Sequence, residues 1–429
     1  MSGITVAGLL ARRALAPVTA EDIESLRSLT LTNLAAALGE RGEIGAVTDS
    51  LPLMPGKPGD EAFLLAAQLH ARTQDDFYPD GRVHVGAIAL AATLALSDRV
   101  GDRLFPCLAA GYRAMCDVSA AYSATAQGRG LRPSGVFGPI GAAAAASVAL
   151  GLTPEQATNA IAIAAAAAGG HNHAWVAGSD EWIIEVGAAA RAGVEAALFT
   201  LAGARGGADA FEGKAGWSEA FFGQSGATDL VAVLDGPVAG PAVVAVKPYP
   251  VSGIAQVPTE LACRAHGQLA SRTPRSVTVA MSPIEYAYPG SSNTGPFTSR
   301  SDALMSVAFC VASGLLDGTV RLGRLEKPND ADVADLLERL TVRPDPALEE
   351  NVAELRITLD DGEEIVAGTS ADAILYPTWA ELSAAAAGLA LRSEADEGLV
   401  LAVAAELAQD TPDVGVLHQN LTSVRKVAL

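Results

Sequence analysis

The chain has 429 residues, half of them apolar but only 5% aromatic, and a formal net charge of −20. That length exceeds one ordinary core and predicts two domains. The charge excludes a nucleic-acid binder, which needs a basic face for phosphate, and no uninterrupted apolar run reaches the roughly 18 residues that span a bilayer.

Alanine supplies much of the apolar content, which favours packed helices over a β-sandwich. Cys107, Cys116, Cys263 and Cys310 are far apart, form no CxxC pair and sit among apolar neighbours. They read as small core residues, so a reducing cytoplasm is the expected compartment. The opening MSGITVAGLLARRALAP lacks the apolar core and cleavage site of a signal peptide.

Taken in order, residues 1–240 read mostly as helix. Thr19 is an N-cap before EDIESLRSLTLTNLAAAL, where apolar residues recur at helical spacing. Thr153-Pro154-Glu155-Gln156 is a helix start, with Thr as cap, Pro in the first turn and Gln as reciprocal partner. Gly151 ends the helix before it, and Gly169-Gly170 the one after. Composition shifts near residue 240, where VAVKPYPVSG brings prolines and β-branched residues. Beyond it, SVTVAMSPIEYAY and AELRITLDDGEEIVAG read as strands, the second folded at Asp360-Asp361-Gly362. ALMSVAFCVASGLLDG and DADVADLLERL read as helices, as does EADEGLVLAVAAELAQ near the end.

Four segments carry candidate chemistry. In QDDFYPDGRVHVG, Asp75 and Asp76 precede a turn and His84 opens an apolar helix. A histidine at a helix N-terminus holds its proton less tightly, which suits a neutral base. The two aspartates serve either as turn caps or as acid/base partners, Asp76 being the one we take for catalysis. In RGLRPSG, Arg132 stays charged and so clamps a carboxylate or polarises a carbonyl, unless it forms a plain salt bridge. Ser134 fits no GxSxG elbow.

The third segment is GGHNHAWVAGSDEW, followed by IIEVG. His171 and His173 form an HxH pair without evident third and fourth ligands, so no metal is expected and a proton-transfer role is preferred. Trp175 and Trp182 read as an aromatic wall. Glu181 or Glu185 is a base, a partner for a cationic amine, or a solvated helix-start acid. The fourth is KPYPVSGIAQ, where Lys247, Tyr249 and Gln256 are candidate substrate contacts or hinge residues. His70, His266 and His418 look like ordinary helix residues, and GSSNTG follows no phosphate-loop pattern.

The order of these loops resembles that of the MmgE/PrpD family, which includes methylcitrate dehydratases, cis-aconitate decarboxylases and iminodisuccinate epimerases. The resemblance covers nearly the whole chain. It implies a mainly α fold: a large discontinuous helical domain over residues 1–245 and 386–429, and a smaller α+β lid over residues 246–385. It also implies a homodimer without cofactor. His84 matches the family's catalytic histidine, and Lys247 with its Pro-Tyr-Pro turn is kept. Thr73 stands in place of a family aspartate, Arg132 and Gln256 in place of histidines, Trp182 in place of a lysine, and Glu185 in place of a further histidine.

The resemblance therefore implies a cofactor-independent lyase or isomerase acting on a small molecule. His84 would be the acid/base, with His173 or His171 as its counterpart. Arg132 and Gln256 would stabilise developing negative charge. Loss of the family's cationic and imidazole groups predicts a specialised, less anionic substrate, as in secondary metabolism, handled by elimination, isomerisation or cyclisation. Two alternatives stand beside it. One is a conventional dehydratase, decarboxylase or epimerase of a di- or tricarboxylate, with Arg129, Arg132, Lys247 and Arg300 as anion pocket. The other is an inactive binding protein.

Overall fold

The computed structural model describes residues 4–40, 42, 44–45, 56–269, 272–368 and 375–425. In chain order its principal elements are α1 (Val6–Ala14), α2 (Ala20–Leu38), α3 (Pro58–His70), α4 (Val85–Leu94), α5 (Leu104–Gly128), α6 (Pro133–Ala149), α7 (Pro154–Ala166), α8 (Glu181–Leu201) and α9 (Gln256–Leu269). They continue with β1 (Pro274–Met281), α10 (Val307–Asp317), β2 (Leu340–Pro344), β3 (Ala353–Leu359), β4 (Glu364–Ala367), α11 (Glu397–Leu407) and α12 (Val414–Arg425). The fold is mainly α, with one small mixed sheet.

The chain forms two compact units. The first gathers residues 1–171, 183–246 and 376–429; the second gathers 172–182 and 247–375. In the first unit one apolar core draws on α1 through α8, α11 and α12. Its alanines and glycines let helices approach closely: a Cβ on Gly141 in α6 would lie 2.9 Å from the Gly111 carbonyl oxygen of α5. Helices this close hold their connecting loops in fixed positions.

In the second unit the strand order is β2-β1-β3-β4. Strand β1 runs parallel to β2 and antiparallel to β3, and β3–β4 is a hairpin. Ala353, Leu355, Ile357 and Leu359 of β3 are buried on alternate positions, and α9 and α10 cover the sheet.

Both foreseen helix starts carry full capping boxes, Thr19 with Asp22 and Thr153 with Gln156. The hairpin turns at Gly362, whose φ is +86°. Other expectations shift. The strand read through Tyr288 stops at Met281, because Ser282 caps a short helix opened by Pro283. The helix read across 303–318 breaks at Ser306, whose extended backbone caps α10 through its hydroxyl. Strand β2 follows directly on the foreseen helix around 331–337 and has only five residues, too few for a visible period.

Candidate functional site

In the first unit, α3 ends at His70 and α4 starts with His84 as its N-cap residue. The loop between them folds back so that Asp75 sits between the two imidazoles. Asp75 Oδ2 lies 2.9 Å from His70 Nδ1 and 3.1 Å from His84 Nδ1. The rings are 4.3 Å apart between centroids. Asp75 and His70 are fully buried, whereas the His84 side chain keeps 13% of its exposure.

Arg132 Nη2 reaches His70 Nε2 at 3.2 Å. Arginine only donates, so His70 Nε2 is an acceptor and its proton rests on Nδ1, pointed at Asp75. A carboxylate likewise only accepts, so His84 donates from Nδ1 to Asp75. The arrangement is two histidines bridged by a buried carboxylate, with an arginine against the first of them.

His70, Asp75 and His84 also present ligand atoms within 4.8 Å of one another, a donor set that suits a divalent cation. Arg132 places a permanent positive charge directly against that set. That charge weighs against a second cation at the same place.

Asp76 does something different. Its Oδ1 accepts from Gly86 N–H at 2.7 Å, in the first turn of α4. Its Oδ2 accepts from Asn33 Nδ2 at 2.8 Å and from the Tyr112 hydroxyl, while its own N–H donates to Asn33 Oδ1 at 2.9 Å. Asp76 thus caps the helix that begins at His84, which has no side-chain cap of its own. The cradle leaves no room for a side chain at Gly86: a Cβ there would lie 2.1 Å from Asn33 Nδ2. Gly86→Ala is expected to cost about 1–3 kcal/mol, read as a lower denaturant midpoint with the fold retained.

Burial lifts the Asp76 carboxyl from 3.8 to about 6, against the three donors that lower it and with Asp75 adding to the rise. The folded state therefore binds this proton more tightly than the unfolded chain. Its stabilising contribution is complete below about 3.8 and is lost as pH rises through about 6. Asp76→Asn is expected to remove a pH-dependent change in stability on the order of 3 kcal/mol across those limits, checked by denaturant titrations at pH 4 and pH 7. An unchanged slope would assign the titration elsewhere.

Arg132 is the N-cap residue of α6, and its N–H donates to the Gly170 carbonyl at 3.2 Å. The two loops touch closely, since a Cβ on Gly135 would lie 2.2 Å from the Gly169 oxygen. Leu131 bridges to His171, and the His171 N–H donates to Glu185 Oε1 at 2.8 Å. His84 N–H donates to Ser134 Oγ at 3.2 Å, tying α4 to α6. The first unit thus links His84, Arg132, His171 and Glu185 through short loop contacts. The His171 ring itself is exposed.

The remaining expected site residues lie in the second unit. His173 is exposed and Glu181 half-buried. Trp175 and Trp182 are both buried, 5.3 Å apart between centroids, and the Trp182 indole N–H donates to Ser301 Oγ at 2.9 Å. Lys247 is buried. The Tyr249 hydroxyl donates to Glu260 at 2.6 Å. Gln256 accepts from Tyr249 N–H and donates to the carbonyls of Tyr249, Val251 and Ser252, so its carboxamide holds the Pro-Tyr-Pro turn.

Sequence reasoning set His70 aside as an ordinary helix residue, and it gave Asn33, Tyr112 and Ser134 no part in positioning His84. His266 meets the Leu315 carbonyl and His418 meets Glu61, both away from this set. The one available signal for His70 was its position five residues before Asp75.

Residues 54–229 match the model of the MmgE/PrpD N-terminal domain, and residues 249–374 match that of the MmgE/PrpD C-terminal domain. The chain matches no curated protein.

Proposed function

The chain belongs to the MmgE/PrpD family of dehydratase- and lyase-type enzymes, and from that premise we propose that it removes a proton next to a carbonyl or imine, with His84 as acid/base. The observation that carries this reading is Asp75 held between His70 and His84, with Arg132 behind His70. A carboxylate on Nδ1 raises the basicity of Nε2 and stabilises the imidazolium formed when it takes a proton. Removal of that proton leads on to elimination, isomerisation or cyclisation.

For the substrate we propose a specialised, less anionic metabolite. An indole bound to Ser301 stands where the family pattern has a lysine, and Glu185 where it has a histidine. Carboxylates in place of cations and imidazoles disfavour a polyanion.

The test is proton exchange in heavy water, followed by proton NMR. One panel holds citrate, methylcitrate, cis-aconitate and aspartate-derived diacids; the other holds larger neutral or amine-bearing carbonyl compounds. Catalysed exchange in the second panel supports the reading. Exchange confined to the polycarboxylates overturns the substrate class and restores conventional chemistry. No exchange in either panel, from folded protein, favours a binding protein.

A further inference from the structure

The loop that carries Asp75 and Asp76 continues into a second feature that the chemistry at His84 does not use. Tyr78, Pro79, Asp80, Ala242, Val243 and Tyr376 line a cavity of about 260 Å³ in the first unit. A smaller one of about 40 Å³ shares Ala242 and Tyr376 as walls and is also lined by Ser28. None of the lining residues belongs to the His70–Asp75–His84–Arg132 set.

The chemistry of the two cavities is one-sided. Neither is lined by Lys, Arg or His among the described residues. The exposed Asp80 side chain makes no ion pair among the described residues, in a chain of net charge −20. The first cavity is lined by one carboxylate, Asp80, together with the phenols of Tyr78 and Tyr376, whose hydroxyls burial pushes up, with Asp80 adding to both. Phenol rings beside a carboxylate attract an ammonium group, and Ala242, Val243 and Pro79 suit its methyl or methylene substituents.

Ser28 supplies the second, independent observation. It is 2% exposed, and its hydroxyl has no hydrogen-bond partner among the described residues. A buried hydroxyl without a partner is costly. The cavity it lines has room for one water or one ligand hydroxyl.

We propose that these adjoining cavities form a binding site for a small ammonium compound bearing a hydroxyl tail, with the ammonium at Asp80, Tyr78 and Tyr376 and the tail at Ser28. The site is placed to influence the catalytic loop. Phe77 pairs with Ala245 and Tyr78 with Val83, the residue before His84. A ligand seated against 78–80 and 242–243 therefore bears on the two bridges that hold that loop.

The test titrates the full chain by calorimetry with three probes. They are choline, tetramethylammonium, and the neutral isostere of choline in which a carbon replaces the nitrogen. Saturable binding is expected for both cations and not for the isostere. Asp80→Asn is expected to weaken both cations about tenfold. Tyr376→Ala, at a largely exposed residue whose loss leaves the fold intact, acts in the same direction. Ser28→Ala is expected to weaken choline and leave tetramethylammonium unchanged. Absence of saturable binding by either cation, equal binding of the isostere, or indifference to both Asp80→Asn and Tyr376→Ala overturns the proposal.

Discussion

Replacing His84 with alanine is expected to lower turnover by about a hundredfold or more while the protein stays folded. The fold should survive because the backbone groups at this position, not the side chain, tie α4 to its neighbours. His84 N–H donates to Ser134, and the start of α4 is capped by Asp76. The side chain contacts Asp75 and the His70 ring, and Asp75 keeps its bond to His70 without it. What alanine removes is the Nε2 lone pair and the imidazolium that Asp75 would stabilise. The measurement is the exchange rate on whichever compound the wild type accepts, with melting temperature as the control for folding. Near-normal exchange from folded His84→Ala would take His84 out of the chemistry and pass the base role to another group, such as His171.

Much of this architecture was open to sequence reasoning because local rules decide it. Thr19 and Thr153 announce helices through reciprocal hydrogen bonds within four residues. Asp360-Asp361-Gly362 needs only a positive φ at its glycine. The glycine-rich loops around Arg132 and His171 also stood out, and they do meet, through Gly135 against Gly169.

What stayed hidden depends on contacts distant in sequence. Asp75 and Asp76 are adjacent and chemically identical, yet one orients histidines and the other caps a helix. The difference is set by Asn33 and Tyr112, which come from α2 and α5 and meet Asp76 only in the folded core. The Trp182 indole satisfies its N–H at Ser301, 119 positions away, and nothing near Trp182 signals that partner. His70 looks like a core histidine from its apolar helix. Its part emerges only when Arg132, 62 residues on, fixes its tautomer.

Asp75→Asn tests that arrangement at its centre and is expected to cost turnover about a thousandfold. The amide has two ways to sit. If its NH2 group faces the imidazoles, it requires an acceptor at Nδ1, so the His84 proton moves to Nε2 and the base is lost. If its oxygen faces them, the tautomer is kept, but no negative charge balances the imidazolium in a buried site. Both orientations slow proton abstraction, and they differ in a measurable way. Nitrogen NMR of labelled histidine distinguishes Nδ1–H from Nε2–H in the resting protein, without any substrate. Loss of exchange with the Nε2–H form would show that Asp75 sets the tautomer. Loss with the tautomer retained would show that its charge is what matters. Wild-type exchange with unchanged nitrogen shifts would reduce Asp75 to a packing residue and remove the support on which the assignment of His84 rests.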